Sequence, residues 1–253
     1  MMKINLSHEF YKFVHRRIPL YGFLVLLGLM LYTLGTSYKI TPYLLAQGFG
    51  AGQWAIIIII AISSDMISME YRDHTMATLM YKTSNKSALY TAKFIVLVIY
   101  SMVLLICGII FSLIIKALMV GSKFSWQDSY EGHALINALL INMGGTMIYL
   151  IFIITLSLML ILLIKNNATV IMIGLAIGFL GADLSSIAIA TFSGLKSIFA
   201  WNPLNMINII TQLSNKEMLS VTHLTNPELI IGNLAYAIIF FYIGLLIFKK
   251  RAI

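Results

Sequence analysis

The chain has 253 residues, of which 60% are hydrophobic and only 10% are charged. A water-soluble domain carries about 25% charged residues, so this composition excludes a water-soluble fold. The formal net charge of +8 does not indicate nucleic-acid binding, because the basic residues are spread between apolar runs. We therefore predict an all-α polytopic membrane protein with a single transmembrane domain over residues 1–253 and no nucleic-acid partner.

The first predicted element is an amphipathic helix over residues 1–17. Phe10 and Phe13 belong to its apolar face, and Arg16 and Arg17, with Lys12, belong to its basic face. Such a helix lies in the membrane interface and turns its cations toward anionic lipid headgroups. The sequence is compatible with a simple lipid anchor and equally with an organising role for the spans that follow.

Six apolar runs are long enough to cross the bilayer as helices. Their predicted ranges are 18–38, 47–64, 94–115, a segment within 134–164, 168–192 and 229–248. The fourth run is longer than a bilayer requires, so it must tilt or leave part of itself at the interface. Gly144 and Gly145 within it permit a kink or the close approach of another helix.

The distribution of lysine and arginine predicts the orientation. If both termini are cytoplasmic, twelve of the 17 basic residues lie on the inner side and five on the outer side. This asymmetry follows the positive-inside rule. We therefore predict that both termini lie in the cytoplasm.

The outer loop 193–226 is too long for a plain connection between two spans. Asn202-Pro203 is a helix-start signal, an N-cap followed by proline, and it predicts a short interfacial or re-entrant helix. A second Asn-Pro pair, at residues 226 and 227, repeats the signal and predicts the start of the last span.

Asp183 is an ionisable residue within the fifth apolar run, about 22 Å from its inner end at the rise of an α-helix. A charge at this depth faces a cavity or a partner. Asp183 therefore lines a substrate path, or the span ends early and Asp183 lies at the outer interface. A proton-coupled carrier would need a second mid-membrane ionisable group, and the sequence offers none.

Residues 65–93 form a polar loop between two apolar runs. A short helix that Asp73 can cap is predicted inside it, and its apolar face consists of Met76, Leu79 and Met80. A loop that only rests on lipid headgroups needs lysines alone, whereas this one also carries Glu70 and Asp73. The acidic residues therefore favour a two-faced helix that docks into a groove of a partner protein.

Motifs for chemistry within the chain are missing from the sequence. It contains no G-x-x-x-x-G-K-[ST] phosphate loop, no H-E-x-x-H and no Gly-x-Ser-x-Gly elbow. The five histidines are not spaced as metal ligands. We expect no catalytic residues, no metal and no ATP site in this chain.

The polar loop resembles a known family. Its residues occur in the order Glu70, then Asp73-His74-Thr75, then Asn85-Lys86, then Lys93 before a span. This layout resembles the first cytoplasmic loop of ABC-2-type permeases, where an acidic residue precedes Gly-Thr, a leucine-rich turn, a Ser-Arg-like turn and a terminal lysine. His74 stands where that family has glycine, and Lys86 stands in place of the arginine.

The resemblance implies a six-helix ABC exporter permease with an N-terminal interfacial helix and a cytoplasmic coupling helix over residues 70–80. It implies a second permease copy or paralogue as partner, together with cytoplasmic ABC ATPase subunits that hold ATP and Mg²⁺. The helix of residues 3–17 would be the connecting helix. The residues implied in coupling are Glu70, Arg72, Asp73, His74, Thr75, Met76, Leu79 and Met80.

The cargo implied by the resemblance is an amphipathic or hydrophobic peptide. Chain size, charge and residue usage look like those of small permeases from low-GC Gram-positive bacteria, which handle bacitracin, lantibiotics or phenol-soluble modulins. The expected location is the bacterial plasma membrane. Self-immunity against a bacteriocin, a secondary carrier that uses Asp183, and a non-transporting sensor or assembly subunit remain alternatives.

Overall fold

The computed structural model describes residues 2–76, 78, 81 and 85–250, with side chains from residue 5 onward except that of residue 193. Within this part of the chain, six helices are long and apolar enough to cross a membrane. The predicted fold class, an all-α polytopic membrane protein with six spanning helices, is confirmed.

The structure contains eleven α-helices within the described residues. Their bounds are α1 (Met2–Val14), α2 (Arg17–Thr36), α3 (Pro42–Ala46), α4 (Ala51–Arg72), α5 (Lys86–Ile115), α6 (Leu135–Ile164), α7 (Asn167–Thr191), α8 (Lys196–Phe199), α9 (Ile209–Gln212), α10 (Leu219–Thr222) and α11 (Asn226–Lys250). The spanning helices are α2, α4, α5, α6, α7 and α11. A small hairpin of β1 (Ser129–Tyr130) and β2 (His133–Ala134) lies between α5 and α6.

Neighbouring spans run antiparallel. Near one end of the bundle the ring of Trp54 in α4 contacts that of Phe179 in α7, with centroids 6.2 Å apart. Further along, Ile60 of α4 lies against Gly174 of α7. Ile60 follows Trp54 in the sequence whereas Gly174 precedes Phe179, so the two helices run in opposite directions. The end of the bundle that carries α1, residues 73–76, Asn85, the α6–α7 turn and the last residues of α11 is called the basic end below.

The centre of the bundle is formed by α4 and α6. These two spans are the most buried, while α2, α7 and α11 are the least buried and present much of their apolar surface outward. α4 packs against α2, α5, α6 and α7. A displacement of α4 along its axis would therefore be felt by most of the bundle.

The fourth span is one continuous helix of 30 residues, so its two adjacent glycines do not break it. A Cβ on Gly144 would meet nothing within 4 Å. A Cβ on Gly145 would overlap the carbonyl oxygen of Ile209, so this glycine permits the close approach of another segment.

That segment is a re-entrant stretch at the end opposite the basic end, called the re-entrant segment (residues 202–213). Asn202 Oδ1 accepts a hydrogen bond from the Asn205 amide at 2.9 Å, in the turn that precedes a 3₁₀ helix (Asn205–Asn208) and then α9. Asn205 Nδ2 donates to the carbonyls of Ala200 and Thr222, and Asn233 Nδ2 of α11 donates to Met206 O. These bonds satisfy irregular backbone inside the bundle, as a membrane protein requires.

The last span includes Asn226 as its first helical residue, although the Asn-Pro signal predicts Asn226 as the N-cap. α11 starts at Asn226, and the preceding Thr225 donates its amide and its hydroxyl to Glu228 Oε2, both at 2.7 Å. The carboxylate at the third helical position holds the cap residue, as in a capping box. The prediction of Asn226 as N-cap is therefore wrong, because the Thr-x-x-Glu pairing prevails over the Asn-Pro signal.

Candidate functional site

The polar loop is shorter than predicted, because both flanking helices extend into it. α4 continues past residue 64 to Arg72, and α5 begins at Lys86 and not at residue 94. The predicted spans 47–64 and 94–115 therefore cover only part of these two helices. Asp65, Glu70 and Lys93 are instead buried within helices.

Four charged side chains at the basic end form an ion cluster. Its members are Glu9 and Lys12 of α1, Glu70 of α4 and Lys93 of α5. Lys93 Nζ donates to Glu9 Oε2 at 2.7 Å and to Glu70 Oε1 at 2.6 Å, and Lys12 Nζ donates to Glu70 Oε1 at 3.2 Å. The side chains of Lys93 and Glu70 are 0% and 1% exposed. Two carboxylates and two ammonium groups leave no net charge, as burial demands.

A second group of charges lies beside the ion cluster. Arg16 Nη2 donates to Asp65 Oδ2 at 2.7 Å, and Arg72 Nη1 lies 3.9 Å from Asp65 Oδ1. Arg16 is the residue immediately before α2. The connection between α1 and α2 is thereby tied to the last turns of α4.

The N-terminal helix is held by the protein on one side. Phe13 is buried, and its ring packs edge-on against Tyr100 of α5 at 5.2 Å, whereas Phe10 is exposed. The prediction that the cations face lipid headgroups is wrong for Lys12 and Arg16, because both bind acidic residues of α4. Arg17, the first residue of α2, does remain exposed.

The last turn of α4 ends in a Schellman motif. The Thr75 amide donates to Glu70 O at 3.0 Å, and the His74 amide donates to Tyr71 O at 3.3 Å. This motif requires a left-handed residue at the position of His74, whose φ is +53°. Glycine reaches this conformation without strain, which gives a physical reason for glycine at this position in the family pattern.

Replacing His74 with glycine should therefore stabilise the protein by about 0.5–1 kcal/mol, because a left-handed backbone is strained in residues that carry a Cβ. The thermal unfolding midpoint of the purified protein measures this. Thr75→Gly is the matched control, since Thr75 is not among the residues with positive φ and gains nothing from glycine. A His74→Gly midpoint at or below that of Thr75→Gly would contradict the Schellman assignment.

The predicted coupling helix does not start at Glu70. Residues 70–72 belong to α4, and Asp73 is the C-cap of α4 and not the N-cap of a new helix. Helical residues resume at Met76, which is buried, and Thr78 and Tyr81 are helical as well. Two predicted members of its apolar face, Leu79 and Met80, lie outside the described residues.

A group of exposed residues remains at the basic end, called the end surface. It comprises Arg72, Asp73, His74, Thr75, Thr78 and Tyr81. The Asp73 side chain is 57% exposed and pairs with Arg72 at 3.5 Å, and Tyr81 is 92% exposed. Glu70, predicted with this set, is not on the surface, because both lysines of the ion cluster hold it inside.

The sequence analysis did not identify two residues of the candidate site. Glu9 is buried in the ion cluster, and Tyr81 is the large exposed aromatic of the end surface. Glu9 is the one acidic residue among residues 1–17, and it lies one turn before Phe13 on the same helix face. A lone carboxylate beside the buried stripe of a basic helix was the available signal. Tyr81 carried no comparable signal.

The start of α5 explains another part of the loop pattern. Asn85 Oδ1 accepts a hydrogen bond from the Ala88 amide at 3.0 Å and caps the helix. Eight residues later, Lys93 binds Glu70, the first residue of the same pattern. The acidic residue and the terminal lysine of the loop are therefore ion-pair partners.

Asp183 lies away from this site. It is exposed on α7, and this helix continues to Thr191. A cavity of about 270 Å³ between α2, α4 and α7 is lined by Gly178, Phe179 and Ala182 of the same helix, but not by Asp183. The Asp183 side chain thus faces outward from this protein chain.

Six apolar spans with an ion-paired N-terminal helix at one end define a polytopic membrane domain. The sequence model described as ABC-2 family transporter protein matches residues 5–181, well over half of the chain. The chain therefore belongs to the ABC-2 family of transporters, and the resemblance is confirmed at that level. The family provides the membrane subunit of an ABC transporter and implies a separate ATPase partner. No match to a curated protein was found.

Proposed function

We propose that this chain is the permease of an ATP-binding cassette exporter and that the end surface receives an ATPase subunit. The observation that supports the proposal is the position of the end surface directly on the C-terminus of α4, the central helix of the bundle. Its exposed turn is continuous with α4 through the Schellman hydrogen bonds. A partner that pushes on this turn moves the core helix.

The ion cluster distributes that movement. Lys93 and Lys12 hold Glu70 to α5 and to α1, so the ends of three helices respond together. Removing one partner from a buried ion pair costs about 3–5 kcal/mol, which makes independent movement of these ends unfavourable. We infer that α1 acts as the connecting helix, and that Glu70 transmits the movement without touching the ATPase.

The orientation and the subunits of the transporter follow from the same proposal. The basic end faces the cytoplasm of a bacterial cell, with both chain termini on that side, because basic residues concentrate there. ATP and Mg²⁺ are bound by the ATPase subunits and not by this chain. A second copy or a paralogue of the permease completes the transporter, and the sparsely buried α2 and α7 leave apolar surface for it.

The proposed cargo is an amphipathic or hydrophobic peptide, such as an antimicrobial peptide or a phenol-soluble modulin. The 270 Å³ cavity supports this class because it combines apolar walls with the polar side chains of Gln47, Gln53 and Asn208. In self-immunity against a bacteriocin, the same transporter would export another peptide. A secondary carrier using Asp183 is disfavoured, because Asp183 is exposed on α7 and does not line this cavity.

The docking proposal is tested with Asp73→Lys, which reverses an exposed charge of the end surface without touching the ion cluster. We expect about five- to tenfold less ATPase to co-purify, with matching loss of cargo-stimulated ATP hydrolysis, and normal membrane insertion. Glu217→Lys makes the same change on an exposed residue at the opposite end and should have no effect. Equal co-purification and hydrolysis in the two variants would reject the end surface as the docking site.

Glu70→Lys is unsuitable for this purpose, because a lysine there would lie against Lys93 and the variant would report on folding instead of docking.

A second experiment distinguishes the exporter from the secondary carrier. Replacing the catalytic glutamate of the partner ATPase should abolish export while Asp183→Asn leaves it intact. Export that survives the first change and fails after the second would establish the carrier.

A further inference from the structure

An apolar groove lies where α1 turns into α2, and α5 forms its third wall. It has a volume of about 220 Å³, and its lining includes Phe10, Leu20, Phe23, Ile99, Tyr100 and Val103. Phe10, Leu20, Ile99 and Val103 are exposed, so the groove opens outward from the bundle. On a spanning segment this direction is that of the lipid.

The groove offers no polar group to a ligand along its walls. The one hydroxyl of its lining, on Tyr100, donates to the Pro19 carbonyl at 2.9 Å. The ring of Tyr100 faces the groove between the rings of Phe13 and Phe23, at centroid distances of 5.2 and 5.5 Å. A hydrocarbon chain matches these walls, whereas a polar solute would lose its hydration without compensation.

The distance from the ion cluster to the far end of the groove matches one leaflet of a bilayer. Lys93 marks the level of the ion cluster on α5, and Val103 lies ten residues further along the same helix, or about 15 Å. The hydrocarbon core of a bilayer is about 30 Å thick, so this distance is half of it. A single acyl chain that starts at the basic end would extend along the whole groove.

A cation lies at the polar end of the groove. Arg17 begins α2 three residues before Leu20 and is exposed. Within the described part of the chain, no acidic side chain pairs with Arg17, although Arg16 binds Asp65 and Lys12 binds Glu70. Its guanidinium is therefore available to an external anion, and guanidinium binds phosphate with two parallel hydrogen bonds.

We propose that this groove is a binding site for one anionic phospholipid of the leaflet at the basic end. An acyl chain lies along Phe23, Ile99 and Val103, and the headgroup phosphate binds Arg17. The bound lipid touches α1, α2 and α5 at once and holds α1 in the position that completes the ion cluster. This site is separate from the end surface, so its existence does not depend on ATPase docking.

The test measures the thermal stability of the purified transporter in neutral detergent with added phosphatidylglycerol or phosphatidylcholine of identical acyl chains. Phosphatidylglycerol should raise the unfolding midpoint in a saturable manner, and phosphatidylcholine should do so much less. Arg17→Gln should weaken the apparent phosphatidylglycerol affinity about fivefold, the contribution of one basic residue at an anionic membrane surface. Lys249→Gln removes a charge at the same end outside the groove and should change nothing.

The binding of the acyl chain is tested with a second pair of variants. Ile99→Trp fills the groove and should abolish the lipid-induced shift, whereas Ile106→Trp should preserve it. Both residues are exposed on α5, at 41% and 46%, but only Ile99 lines the groove. If Arg17→Gln does not fold, Arg17→Lys, which keeps the charge but not the bidentate geometry, takes its place with a smaller expected loss.

Three results would overturn the proposal. The first is an equal shift with phosphatidylcholine, which would describe neutral lipid at the protein surface. The second is a full shift with glycerol phosphate alone, which would describe an anion site without an acyl chain. The third is a phosphatidylglycerol shift of the same size in Ile99→Trp and Ile106→Trp, or in Arg17→Gln and Lys249→Gln.

Discussion

Lys93→Met is expected to lower the free energy of unfolding by about 3–5 kcal/mol, because it leaves Glu9 and Glu70 buried without their shared cation. Glu70 is especially dependent on it. Both lysines bind Glu70 Oε1, while Glu70 Oε2 is buried without a hydrogen-bond partner in the described structure. After the substitution only Lys12, which is half exposed, remains near this carboxylate.

The free energy is measured by unfolding the purified protein in mixed micelles with increasing dodecyl sulfate. Lys86→Met is the control, since it makes the same change on the same helix outside the ion cluster, and it should cost less than about 1 kcal/mol. The double variant Glu9→Gln/Lys93→Met restores charge balance, because Glu70 keeps Lys12. It should recover part of the loss. A Lys93→Met loss no larger than that of Lys86→Met would show that the ion cluster does not stabilise the fold.

Gly145→Ala and Gly144→Ala should act in opposite directions although the residues are adjacent. Alanine is favoured over glycine inside a helix by about 0.8–1 kcal/mol, so Gly144→Ala, in open space, should be neutral or stabilising. On Gly145 the new methyl would overlap Ile209 O and lie 3.1 Å from Leu213 Cδ1. Forcing extra volume into a packed site costs about 1–3 kcal/mol, and the obstacle here is backbone that cannot rotate away.

The thermal unfolding midpoints of the two variants provide the comparison, with the wild type between them. Protease access to the re-entrant segment should rise in Gly145→Ala alone, because the methyl displaces this segment from α6. Coincident midpoints and unchanged access would mean that the segment does not approach α6 as closely as described.

Membrane thickness explains why much of the fold was predictable. An apolar run must be long enough to cross, and the run 168–192 matches α7 within one residue at each end. The fourth span was predicted only as a segment within 134–164, and α6 occupies nearly all of that stretch. The helices α4 and α5 each continue eight residues beyond the predicted spans 47–64 and 94–115. Lys93 of α5 pairs with Glu70 and Glu9, which lie 23 and 84 positions away in the sequence. A local sequence pattern does not predict ion pairs over such distances.

The candidate site was predictable in its position and not in its arrangement. The unusual concentration of polar residues identified the correct stretch of chain, and Asp73 is exposed there. Glu70 was predicted on the same surface because attraction to lipid headgroups does not explain an acidic residue in this loop, and because the resemblance implied a coupling helix over residues 70–80. Its burial depends on Lys93 reaching it from another helix, which is a property of the assembled bundle.

The ion cluster also constrains the order in which the protein is made. Glu9 precedes Lys93 by 84 residues, so the ribosome completes α1, α2 and α4 before the cation that neutralises their carboxylates exists. At about 5–20 residues per second this interval lasts roughly 4–17 s. During that time Glu9 and Glu70 must stay in contact with water at the membrane surface. The insertion of α5 is therefore the step of biogenesis that allows α1 to settle against the bundle.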